Sequence, residues 1–208
     1  MDQELKDKVK ILFKETAEKI TRESFGQEPN YTAAFFGKLH GERRTSSTGN
    51  SVHFSFSPSN DRGRGSAEKK TGIDIGMVFK WTDENSQTVF EKAVFAQAKN
   101  KLLSLAPAAA KTLSDQCEKM AKISKSFVVM DCPYDRSVPK IGVSDTASPY
   151  WQKSLIGLDD YILDTVLACK DGDVTPNALE IARRADRCLV VSTNSPNEAS
   201  SNSWSTQK

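Results

Sequence analysis

The succession of hydrophobic periodicities along this chain predicts an α/β fold, a central mixed β-sheet flanked by helices. Three observations carry that expectation. Near the start, apolar residues recur at three- and four-residue intervals, as on one face of a helix. Between residues 73 and 100 two neighbouring stretches alternate with the two-residue period of a strand. In the second half, helix-like segments are each followed by a short apolar run of buried-strand type, and this happens twice.

Taken in order, Leu5, Val9, Leu12, Phe13, Thr16, Ala17 and Ile20 predict an amphipathic helix over 4–24 that stops before Gly26 and Pro29. A shorter helix, YTAAFFGKLHGE, is expected to follow Asn30 as its cap. Val52, Phe54 and Phe56 alternate with polar residues as in a strand, which breaks at Pro58 into a polar loop. Ile73, Ile75, Met77 and Phe79 give the next strand one apolar face, and its other face bears Asp74. The turn TDENSQ and the long strand TVFEKAVFAQAKN complete a hairpin. An Ala-rich helix from Pro107 leads into the strand SFVVMDC. WQKSLIGLDDYILDTVLAC reads as helix, as does TPNALEIARRAD with Thr175 and Pro176 at its start, and CLVVSTN reads as a last strand. Residues 1–194 are expected to form a single domain, and the Ser/Asn-rich residues 195–208 a disordered tail.

Composition narrows the class. Of 208 residues, 38% are apolar and 27% charged, which suits a globular chain long enough to bury a core without a disulfide or metal. No run approaches the roughly 20 apolar residues of a membrane helix, and the start lacks the apolar core of a secretory signal, so no membrane contact and a cytoplasmic location are expected. Cys117, Cys132, Cys169 and Cys188 form no CxxC pair and read as reduced, mostly buried thiols. The net charge of +2 is small but unevenly spread. From Lys38 to Lys70, seven basic side chains (Lys38, Arg43, Arg44, Arg62, Arg64, Lys69 and Lys70) face three acidic ones, a window that could track phosphates or decorate a solvated loop. His40 and His53, the only histidines, have no nominated nucleophile to serve, and the acids of C-K-D-G-D at 169–173 read as a helix end.

Chemistry concentrates between Glu68 and Lys99. A carboxylate inside a strand, as Asp74 is expected to be, is costly unless paired, metal-bound or at the sheet's end. Gln97 and Lys99 are two residues apart and share a strand face, about 7 Å apart along the chain. If the strands pair, all three side chains can converge. Asp74 and the Gln97 carbonyl are oxygen donors of the kind a hard divalent cation takes, and an ammonium beside them can stabilise charge developing on phosphorus.

With Asp74, Q-x-K at 97–99, and a helix–strand–strand–strand–helix–strand order, the chain resembles the PD-(D/E)XK nuclease superfamily in its Q-x-K branch. The resemblance implies a restriction-endonuclease-like fold, with Asp74 as metal-binding Asp, Gln97 at the second acidic position and Lys99 as the catalytic Lys. The superfamily's upstream Glu is assigned first to Glu68, with Glu42, Glu18 and Glu15 as alternatives. Gln116, four residues before Met120, is similar to the Q-x-x-x-Y element of recombination-type nucleases, although Met replaces the Tyr. The implied activity is Mg²⁺- or Mn²⁺-dependent hydrolysis of DNA, in restriction or anti-phage defence. Arg43, Arg44, Arg62, Arg64, Lys69 and Lys70 would contact the backbone. The alternative is a non-catalytic protein that keeps the fold to bind nucleic acid or a partner. RNA is not distinguished from DNA, and a homodimer or a partner subunit of a defence system would fit double-strand cutting.

Overall fold

The computed structural model describes residues 1–22, 24–58, 70–143 and 155–196. Helices α1 (Gln3–Glu18) and α2 (Glu28–Leu39) precede strands β1 (Arg43–Thr45) and β2 (Ser51–Pro58). The hairpin strands β3 (Ile75–Thr82) and β4 (Thr88–Asn100) lead through a short 3₁₀ turn, Leu102–Ser104, to α3 (Pro107–Ile123) and β5 (Phe127–Cys132). Strands β6 (Lys140–Val143) and β7 (Ile156–Gly157) are followed by α4 (Leu158–Asp160), which continues as a π-helix over Tyr161–Val166. Helix α5 (Pro176–Arg183) and β8 (Arg187–Thr193) complete the described elements.

All eight described strands join one mixed sheet in the order β1-β2-β8-β3-β4-β5-β6-β7. The β3–β8 and β4–β5 pairs are parallel, and the other pairs are antiparallel. The expected mixed sheet between helices is therefore present. Both faces are covered. Leu5, Phe13, Phe35, Phe36 and Tyr161 pack with Phe54, Ile75, Phe79 and Val94 on one side. Leu113, Cys117, Met120, Ala178 and Ala182 pack with Val78, Phe95 and Val129 on the other. Double coverage explains why β3 is buried at almost every position instead of alternating. Among the described residues no helix is long and apolar enough to cross a membrane.

Several boundaries differ from the sequence reading, each for a local reason. Helix α1 is capped by Asp2, whose carboxylate accepts from the Leu5 amide at 2.8 Å, but it ends at Glu18, six residues short of the expected end. Ile20, which extended the apolar pattern, is buried from a turn, and Arg22 behind it is drawn inward. Helix α2 starts at Glu28 because Pro29 sits in its first turn, where its missing N–H costs nothing; Asn30 is inside the helix and caps nothing. Ile156–Gly157, expected to be helical, adds a short edge strand. The following turns are π-helical, with Leu167 N donating to Ile162 O at 2.9 Å. Thr175 caps α5 as expected, accepting from Ala178 N at 3.3 Å. Ser195, assigned from sequence to the tail, is buried and its amide donates to Thr193 Oγ1 at 3.0 Å.

The position of β8 is the least local feature. It lies between β2 and β3, antiparallel to one and parallel to the other, so the last of the described strands occupies an interior position in the sheet.

Candidate active site

The site begins with the segment T-G-I-D-I-G. Gly72 has φ +77°, a left-handed conformation, and a Cβ there would sit 3.0 Å from Gln116 Cα of α3. A Cβ on Gly76 would sit 2.7 Å from Ala182 Cα of α5 and closer still to its carbonyl. These two glycines let α3 and α5 approach on either side of the residue between them. Asp74 lies at a bend immediately before β3, so the expectation of a carboxylate within the strand is corrected by one residue. Its amide donates to Ala96 O at 3.1 Å, which sets it at the rung next to Gln97.

Asp74 is buried and its carboxylate is ion-paired with Arg187, the first residue of β8, which is itself buried. The register makes the pairing possible, since Arg187 lies beside Ile75 in the parallel β3–β8 ladder. Arg187 was not among the candidates read from sequence. The sole hint, an Arg opening an apolar run 113 residues away, becomes meaningful only once β8 is placed next to β3.

Gln97 and Lys99 alternate with Ala96 and Ala98, which belong to the core under α1 and α2, so both face the α3 side. Gln97 is 2% exposed. Its Nε2 reaches Ala98 O at 3.4 Å, and its Oε1 has no hydrogen-bond partner among the described residues. Lys99 stands further along, half-buried, without an ion pair among the described residues. Burial pushes the Cys117 thiol of α3 up to about 12, against the opposing pull of the Lys99 charge.

More charge gathers where β4 and β5 end. The Cys132 thiol is pushed up by burial, drawn down by Arg22, and raised again by Asp74, Asp131 and Glu28. Glu28 Oε1 accepts from the amide of Asn100, the residue after Lys99, at 3.1 Å. Glu28 is an acid beside the site that the sequence reading did not select. Of the acids it did weigh, Glu15 and Glu18 are exposed on α1, Glu42 is paired with Arg44 at 2.6 Å, and Glu68 lies outside the described residues.

The basic window divides. Arg62, Arg64 and Lys69 lie outside the described residues. Lys70 is exposed, four residues before Asp74. Arg43 and Arg44 are on β1 at the sheet's edge, three strands from β3 and so roughly 14 Å away. Arg43 donates to Ser51 Oγ at 3.1 Å. Those two arginines are not brought to Asp74. His40 Nδ1 accepts from Phe56 N at 2.9 Å, His53 is exposed on β2, and Asp171 accepts from Tyr161 Oη at 2.6 Å.

Two hard oxygen donors are therefore brought together, one at the bend that opens β3 and one on β4. A buried carbonyl oxygen with no partner costs about 1–3 kcal/mol, so the Gln97 oxygen fits a cation ligand better than a purely structural amide. Among the described residues no three His, Cys, Asp or Glu side chains group closely enough to hold a metal. No family model, curated protein or solved structure matches the chain.

Proposed function

We propose that the protein is a divalent-metal-dependent nuclease that hydrolyses phosphodiester bonds of DNA, on a restriction-endonuclease-like fold. The observation that carries this reading is the unpartnered, buried Gln97 carbonyl one rung from Asp74, with the Lys99 ammonium two residues further along the same face. Asp74 and Gln97, with Glu68, would hold Mg²⁺ or Mn²⁺. Such an ion supplies Lewis-acid charge to the scissile phosphate. Lys99, which has no carboxylate to neutralise it among the described residues, is available to stabilise charge developing on the phosphoryl oxygens. The Gln in place of an acid leaves the site one negative charge short, so metal binding is expected to be weaker and more dependent on the substrate's own phosphate.

One observation favours a second reading. The Arg187 guanidinium already neutralises Asp74, as suits a protein that keeps the fold and binds nucleic acid or a partner without cutting. Plasmid cleavage separates the two. Wild type, Asp74→Asn and Lys99→Ala are incubated with supercoiled, linear and single-stranded DNA in Mg²⁺, Mn²⁺ or EDTA, with melting curves as folding controls. Metal-dependent cutting that both folded variants lose supports the nuclease. Retention of DNA in a gel shift with no cutting under any condition moves the reading to the binding protein.

A further inference from the structure

Arg22 is the most anomalous charged residue outside the candidate active site. It is 8% exposed, and its Nη2 donates to the Asn100 side chain and, at 3.1 Å, to Gly26 O. Its Nε and Nη1 are buried and have no hydrogen-bond partner among the described residues. A guanidinium does not shed its proton to escape burial, so two unmet donors on a permanent cation are a standing cost. The nearby described carboxylates are bonded elsewhere. Asp131 accepts from Leu102 N at 2.8 Å, Asp135 from Ser137 N at 3.0 Å, and Glu28 from Asn100 N.

Arg22 lines a cavity of about 440 Å³ with Thr21, Tyr134 and Arg136. The Tyr31 and Tyr134 ring centroids lie 4.7 and 4.4 Å from its guanidinium carbon. Tyr134 is half exposed, and Lys101 Nζ lies 5.3 Å from its ring. Two guanidinium groups, those of Arg22 and Arg136, and a half-exposed aromatic ring thus line the cavity, Lys101 stands beside that ring, and the Arg22 N–H donors left unmet among the described residues are buried at its wall. Planar, bidentate recognition of an oxyanion is what such a guanidinium does best, and an exposed ring is a platform for a base. The pocket is tied to the candidate site through Asn100, the residue after Lys99.

We infer that this pocket binds a phosphate group of a nucleic-acid strand, held by Arg22 and Arg136, while an adjoining base stacks on Tyr134. The assignment of the anion to nucleic acid leans on the nuclease reading, but the binding needs neither a metal nor cleavage. The phosphate is either a strand terminus or an internal diester.

The test is fluorescence anisotropy in EDTA, with 3′-labelled single-stranded oligothymidine bearing a 5′-phosphate or a 5′-hydroxyl. Arg136→Ala and Tyr134→Ala change exposed side chains and should melt like wild type. Each is expected to weaken binding by about tenfold. Arg136→Ala should also lower the salt-dependence slope by about one. Arg22→Lys, if it folds, should weaken binding most. A preference for the 5′-phosphate identifies a terminal monoester, and equal binding identifies an internal diester; both support the inference. It is overturned if wild type does not bind, or if both surface variants bind as wild type does. Binding that depends on Arg136 in a protein that cuts nothing would sink the nuclease reading and leave the pocket standing.

Discussion

Replacing Arg187 by Met, a side chain of similar reach without charge, isolates the role of the Asp74–Arg187 pair. The partner side chains are 9% and 6% exposed, so the substitution removes the Arg187 charge from a carboxylate held out of water. Breaking a buried pair from one side costs about 3–5 kcal/mol. For a chain of this length each kcal/mol moves the melting temperature by about 2–4 °C, so Arg187→Met should melt about 6–20 °C below wild type in EDTA. If Asp74 is a metal ligand, a divalent cation can take over the neutralisation. Binding at a hundred times Kd contributes about 2.7 kcal/mol, or about 5–11 °C of recovery. Calorimetric melts with EDTA or saturating Mg²⁺ measure both effects. Asp74→Asn with Arg187→Met should lose about 1–3 kcal/mol less than the sum of the single variants. A variant melting within about 2 °C of wild type would show that the pair holds nothing. Equal Mg²⁺ stabilisation of variant and wild type would refute the idea that Arg187 and a cation compete for Asp74.

Gln97→Glu should tighten Mg²⁺ binding by about tenfold, measured by calorimetric titration, and lower the melting temperature in EDTA because it buries an unpaired charge; unchanged metal affinity would remove Gln97 from the ligands. Gly76→Ala must push α5 off β3, an overpacking cost of about 1–3 kcal/mol or more that denaturant titration would register; wild-type stability would mean the close approach of Ala182 is dispensable. Acid should loosen the N-terminus. Asp2 is held below the usual carboxylate range by bonds from Asn50 and the Leu5 amide, and Glu4 is lowered to about 2 by Lys8 and Ser47. Because both are depressed in the folded state, their stabilisation is full above the ordinary carboxylate values, about pH 4.5 for Glu4, and is lost as pH falls through the depressed values. Asp2→Asn should flatten that acid slope in melting curves, and an unchanged slope would place the dependence elsewhere.

What could be read in the sequence was local. The β3–β4 hairpin was legible because β-branched and aromatic residues flank a polar turn, and the Asp83 carboxylate now accepts from Asn85 N at 2.9 Å and Gln87 N at 2.8 Å to close it. Asp74, Gln97 and Lys99 were legible for the same reason, since one hairpin carries all three. Arg187 and Arg22 were not legible. One depends on β8 entering beside β3, and the other on α1 stopping early enough to turn a charged side chain inward. Neither event leaves a periodic trace, because both are decided by packing between segments far apart in sequence.

The central place of β8 has a consequence for how the molecule comes to exist. Strands β2 and β3 are neighbours in the chain order but have no direct partnership; each waits for residues 187–193, made more than a hundred positions later. Contacts of that range close slowly, so most of the chain must be synthesised before the sheet can become continuous. The same insertion delivers Arg187 to Asp74. Assembly of this part of the sheet and the pairing of Asp74 with Arg187 are thus one event, and a chain that stops short of β8 has neither.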